Sequence, residues 1–175
     1  DFVWRCGGAI ALHQQQGYDV TVVCLSYGER GESAKLWKQD CMTLERVKTG
    51  RRIEAENAAK ALNVHDIQFF DLGDYPLELS RDDKYKLVDL IRAVQPDFML
   101  SHSKTDPYNT DHAYATQVAL ECRMIAQAWG HNPGEKVLGG GRRRGRCREH
   151  RRGRSARHRP SRATRRTAPL GGGGG

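Results

Sequence analysis

The chain has 175 residues, room for one domain of ordinary size, with a formal charge of +8 and a hydrophobic share of 38%. No run approaches the roughly 18 apolar residues of a membrane span, and no signal peptide is read, which argues against a membrane or secreted protein. The five cysteines (Cys6, Cys24, Cys41, Cys122, Cys147) are scattered, odd in number and form no CxxC pair, so a reducing, cytoplasmic setting is expected, with Cys24 and Cys122 as buried thiols.

Taken in chain order, "DFVWRC" reads as an irregular loop. A helix over Ala9–Gln16 then leaves the Gly-Gly turn, and Gly17 stops it. "YDVTVVCLS" is β-branched and almost continuously apolar, as expected of a strand buried on both faces. After the polar loop "YGERGESAKLWKQDCM", Thr43 caps a helix whose apolar face is Leu44, Val47, Ala55, Ala58, Ala59 and Leu62. "IQFFDL" is a second strand and "GDYP" a turn. Ser80 with Asp83 opens another helix, which Pro96 ends. "DFMLSH" reads as a third strand, "SKTDPYNTDH" as a loop, and a helix runs from about Asp111 to Ala128.

This alternation predicts an α/β fold: a Rossmann-like, open, mostly parallel sheet flanked by helices, with its first strand missing ahead of Asp1. Ligands of such sheets lie beyond the carboxyl ends of the strands. Three loops would occupy that edge: Asp1–Cys6, Tyr27–Lys38 and Ser101–His112.

Composition changes abruptly at Gly139. From there on lie 13 of the 29 basic residues and one acid, Glu149, leaving 16 basic and 20 acidic side chains in residues 1–138. Residues 1–138 are therefore expected to form the domain, mildly acidic, and 139–175 a disordered appendage. An arginine-rich arm could bind nucleic acid, but no aromatic residue is interleaved for base stacking. Arg, Gly, Ala and Pro make up 28 of its 37 residues, as out-of-frame translation of GC-rich coding would produce, and that reading is preferred.

The densest chemistry is in "SHSKTDPYNTDH", where His102, Asp106, Asn109, Asp111 and His112 fall within eleven residues. Asp111 could simply cap a helix, and His102 could be a satisfied histidine at the sheet edge. Asp1 would lie on the same edge as His112, and zinc accepts both carboxylate oxygen and imidazole nitrogen. The metal ligands expected are Asp1 and His112, with a third upstream of Asp1.

Asp1 followed by "GGAIALH", "GYDVTVVCLSYGERGES", "RRIEAENAAKALNV" and "DPYNTDH" resembles the N-acetylglucosaminyl-phosphatidylinositol de-N-acetylase-like (PIG-L, LmbE-like) superfamily of zinc enzymes. The resemblance covers about Asp1 to Leu138. It implies that Asp1 matches the second Asp of a His-Pro-Asp-Asp-Glu motif, whose His would lie three residues earlier. His112 matches the last His of a His-Pro-Asp-His motif. The chain is thus expected to begin inside its metal motif and to be inactive by itself.

Phe2 replaces the motif's Glu, while Asn109 and Thr110 replace the His and Pro of the second motif. These departures, with "DFVWRCGGAIALH" and "HSKTDPYNTDH", resemble the 4-oxalomesaconate hydratase branch. That branch implies Zn2+ and a small polycarboxylate substrate. Glu29 is the expected proton-transfer carboxylate, with Glu32 as alternate, and Asn109 and Asp111 join it as catalytic candidates. Arg5, Arg30 and Lys35 are candidates for holding substrate carboxylates. Arg51 and Glu54 read as an ion pair one helical turn apart. Ser26 lacks a nucleophile elbow, and Gly7–Gly8 lacks a dinucleotide fingerprint. The alternatives are an N-acetyl amide deacetylase using the same site and an arginine-rich nucleic-acid binder. The sequence leaves the oligomeric state open, a homo-oligomer included.

Overall fold

The computed structural model describes residues 1–132 and 136–139. The arginine-rich appendage read from 139 onward lies, after Gly139, outside the described residues. None of the helices among the described residues is long and apolar enough to cross a membrane.

Helix α1 (Phe2–Gln15) begins at once, with Asp1 at its N-cap position, so the loop expected over Asp1–Cys6 is corrected to helix. Phe2, Cys6 and Ile10 recur every four residues and turn one face onto Val22, Ala59 and Val64. That packing offsets the cost of about 1 kcal/mol for each internal glycine, Gly7 and Gly8. Gly17, at φ +78, follows the C-cap as expected.

Strand β1 (Thr21–Cys24) pairs in parallel with β2 (Asp66–Phe69), from Thr21 opposite Asp66 to Cys24 opposite Phe69. Burial on both faces is not found: Val22 is buried, whereas Val23 is 37% exposed. Helix α1 and Ala59 pack on the Val22 side, while Phe70, just past β2, packs against the separate cluster around Leu87, Val88 and Val118.

The third strand expected over 97–102 is also corrected. That segment has no ladder partner among the described residues, and Phe98, Met99 and Leu100 are exposed. An apolar run becomes a strand only where a neighbour takes its backbone groups. Here the run is pinned from one side instead, Thr116 Oγ1 donating to His102 O at 2.9 Å.

Between the strands lie a single turn, α2 (Ala34–Trp37), and α3 (Leu44–Ala61), whose Thr43 cap accepts the Arg46 N–H. Helix α4 (Arg81–Val94) opens with a reciprocal box between Ser80 and Asp83, and Gln95, in a left-handed conformation, closes it before Pro96. Helix α5 (Thr110–Gln127) lies against α4, with Leu87, Val88 and Ile91 meeting Val118, Cys122 and Ala126. Truncating Ile91 to alanine should cost about 3 kcal/mol, read as a lower urea midpoint at unchanged slope.

Buried Arg92 clamps the far end of α5, donating to the carbonyls of Ala126 (3.3 Å), Ala128 (3.0 Å) and His131 (2.8 Å). Burial pushes the thiols of Cys24 and Cys122 up to about 11, so both are inert at neutral pH.

Candidate metal centre

The site is built from the start of α5 outward. Asn109 caps that helix, its Oδ1 accepting the Asp111 N–H at 3.0 Å. Asp106 folds the preceding turn: one carboxylate oxygen accepts Tyr108 N–H at 2.9 Å and Asn109 N–H at 3.1 Å. Its other oxygen meets His112 Nδ1 at 2.9 Å. A carboxylate on Nδ1 draws the ring proton there and leaves Nε2 with a lone pair.

That Nε2 stands 3.2 Å from Asp1 Oδ2 and 3.1 Å from Asn109 Nδ2. His102 Nε2 lies 3.9 Å from the same Asp1 oxygen, and its ring stacks on His112 with centroids 4.0 Å apart. The donor atoms of Asp1, His102 and His112 all fall within 4.8 Å of one another. With the proton on Nδ1, the His112 lone pair and the Asp1 carboxylate are two acceptors face to face, which a shared cation satisfies. One carboxylate and two imidazoles also match the ligand chemistry of zinc sites that keep a position open.

Burial first, then neighbouring His112, holds the His102 pKa below its ordinary value, so its neutral, ligating form persists to lower pH. The hydrogen bond from His112 is the main cause holding the Asp106 carboxyl below the usual range. A depressed carboxylate contributes stability above its unfolded value, about pH 4, and loses it as pH falls through the folded value. Asp106→Asn should therefore flatten the acid limb of a circular-dichroism unfolding series below that pH. A limb as steep as that of the unsubstituted chain would contradict this.

The loop after β1 forms the next wall. Glu29 is 1% exposed; its Oε2 accepts Tyr27 N–H at 3.2 Å and its carbonyl accepts Trp37 Nε1–H at 2.6 Å. Burial above all pushes its carboxyl up. Glu32, on the same loop, is exposed, and its Cβ packs at Gly28 beside the Arg51 guanidinium. Arg51 pairs with Glu54 at 2.6 Å as expected and also donates to the Tyr27 carbonyl at 3.1 Å.

The turn after β2 ties the loops together. Asp74, 4% exposed, accepts the N–H of Arg30 at 3.0 Å and of Gly31 at 2.8 Å. Asp111 Oδ2 accepts the Tyr75 N–H at 2.8 Å.

Asp1 and His112 thus come together, with Asn109 touching His112. The cap is Asn109 rather than Asp111, whose carboxylate holds the Tyr75 backbone instead. Arg5, Arg30 and Lys35 are all exposed, and the Arg30 guanidinium already donates to the Asp74 carbonyl at 2.9 Å. Sequence reasoning left His102 at a sheet edge and gave Asp74 and Tyr75 no role. The one available signal was a histidine at a junction ten residues before another.

Residues 1–123 match the family described as GlcNAc-PI de-N-acetylase, PIG-L. Over 139 residues the chain is 58% identical to the 4-oxalmesaconate hydratase of Pseudomonas putida KT2440, covering 79% of this chain and 54% of that protein. It resembles the crystal structure of GalB, the 4-carboxy-2-hydroxymuconate hydratase from Pseudomonas putida KT2440, with a TM-score of 0.77 and 57% identity, covering 79% of this chain and 57% of that one. The diacetylchitobiose deacetylase of Thermococcus kodakarensis is 26% identical over 135 residues, 76% of this chain and 49% of that protein. The chain spans about half the length of the curated relatives it matches.

Proposed function

The chain belongs to the PIG-L family, and on that premise we propose that it carries the zinc site of a hydratase, which adds water to a polycarboxylate alkene conjugated to carbonyl groups. The observation that carries this reading is the 58% identity to a hydratase, set against 26% to a deacetylase. The likeness to a solved hydratase supports placing β1 and β2 in an open, Rossmann-like sheet. The site then lies where such sheets bind ligands, at the carboxyl ends of their strands.

Asp1 Oδ2, His102 Nε2 and His112 Nε2 would hold the metal. Bound there, zinc supplies Lewis-acid polarisation of a substrate oxygen or of water. Asp106 keeps the His112 ring turned so that Nε2 faces Asp1. The Asn109 amide, 3.1 Å from that nitrogen, stands where the deacetylase motif has a histidine, and we assign it to orienting rather than to proton transfer.

Hydration moves one proton from water to carbon, so a carboxylate must reach solvent and substrate. Glu32 meets that requirement, while enclosed Glu29 holds the loop that presents it. The Arg5 charge is felt at His102, which favours Arg5 as a first contact for a substrate carboxylate, with Arg30 and Lys35 further along the rim.

With His102 supplying a third donor beside Asp1 and His112, in place of the ligand expected upstream, the chain is expected to be active rather than inert. Loaded with zinc and incubated with 4-oxalomesaconate, it should yield a product heavier by one water in mass spectrometry, and no acetate from N,N'-diacetylchitobiose. Acetate release without water addition would overturn the reading in favour of amide hydrolysis.

A further inference from the structure

The turn after β2, Gly73-Asp74-Tyr75-Pro76, carries a side chain that metal holding and proton transfer leave without a role. Tyr75 has a left-handed backbone, φ +48, which a bulky residue keeps only when its surroundings enforce it. Hydrogen bonds on both sides do so: its own N–H donates to Asp111, and Asp74 holds the N–H groups of Arg30 and Gly31.

The Tyr75 ring lies directly on Gly31. A Cβ built on that glycine would stand 2.2 Å from the ring's Cε2 and 2.8 Å from its Cζ, so any other residue there would displace the ring. Half of Tyr75 nevertheless remains exposed. A ring placed for core packing is covered on every side. This one is covered where it meets Gly31 and open elsewhere.

Its backbone hydrogen bond to Asp111, the chain neighbour of His112, sets the residue beside the metal-holding loop. After burial, the carboxylates of Glu32, Asp111, Asp74 and Asp106 hold the phenol above its ordinary value, so it keeps its proton at neutral pH. Asp106 is the partner of His112, and Asp111 is its chain neighbour. Three of those four carboxylates already accept other hydrogen bonds: Asp74 from Gly31, Asp106 from Asn109 and Asp111 from Tyr75. No described residue takes a hydrogen bond from the Tyr75 hydroxyl. The group is a neutral donor beside the metal-holding loop, where a cation held by Asp1, His102 and His112 and the Arg30 guanidinium would offset the field of these carboxylates for an incoming anion.

We propose that Tyr75 is a substrate-binding, specificity-determining residue: seated on Gly31, its ring walls the site beside His112, and its hydroxyl donates to a substrate carboxylate. This rests on the hydratase reading for the nature of the ligand. Mesaconate, an unsaturated branched dicarboxylate, serves as the probe. It is titrated into the zinc-loaded full chain and into the Tyr75→Phe and Gly31→Ala variants and followed by proton NMR line broadening, with zinc affinity measured by chelator competition.

Tyr75→Phe keeps the wall and loses the donor, so it should bind mesaconate roughly tenfold more weakly while zinc affinity stays within about twofold. Gly31→Ala should weaken mesaconate at least as much by displacing the ring. Equal mesaconate affinity for Tyr75→Phe and the unsubstituted chain would overturn the role of Tyr75 and leave the hydratase reading standing. An unsubstituted chain that takes zinc but no mesaconate would overturn both. Loss of zinc affinity in Tyr75→Phe would make the residue a support of the metal loop and sink the proposal.

Discussion

Replacing His112 by alanine should weaken zinc binding by roughly 100-fold. Zinc sites in small folded peptides are held by about 10–16 kcal/mol, which divided among three or four ligands gives about 3 kcal/mol for one. At 1.4 kcal/mol per decade this is about two orders of magnitude. The substitution also leaves Asp106 without the ring it orients, so a further carboxylate beside the site loses its partner. Competition against a chromophoric chelator reads the effect. His102→Ala should be milder, because its Nε2 is 3.9 Å from Asp1 Oδ2 against 3.2 Å for His112. Equal zinc affinity for His112→Ala and the unsubstituted chain would rule out a metal centre at Asp1, His102 and His112.

Glu32→Gln should lower the hydration rate by roughly 100-fold or more, the usual contribution of a positioned acid–base group, with zinc affinity retained. Glutamine keeps the size and polarity of the side chain and removes only its capacity to exchange a proton. Glu29→Gln should be far gentler, since burial already favours the uncharged form of Glu29 and an amide carbonyl can still accept the Tyr27 N–H. Single-turnover rates on the two variants decide between them. A collapse confined to Glu29→Gln would transfer the proton-handling role to the buried residue.

The parts of the fold legible in the sequence are those decided within a few residues. Thr43 with Arg46, and Ser80 with Asp83, are caps whose partners sit three positions apart, and Gly17 ends a helix by its own backbone freedom. What escaped was decided across long separations. The Gly-Gly pair looked like a turn because local propensity says so, yet Phe2, Cys6 and Ile10 reach Val22 and Val64 and carry the helix through it. "DFMLSH" has the composition of a strand, but its ladder partner has to come from elsewhere in the chain.

The site divides the same way. That Asp1 and His112 lie together was legible from motif positions. His102 needed the ring stack on His112, and Tyr75 needed its contact with Gly31, 44 residues away. Neither contact leaves a trace in local spacing.

The Arg92 clamp has a mechanical corollary. Its grip falls near Ala126, about 21 Å along the axis of α5 from His112 at 1.5 Å rise per residue. A tilt of only about 4° about that anchor would swing the imidazole by about 1.5 Å, enough to take its nitrogen out of reach of a shared ion. The guanidinium acts as the fulcrum of a long lever whose working tip is His112, the proposed metal ligand. Loosening it should therefore detune coordination from the opposite end of the helix.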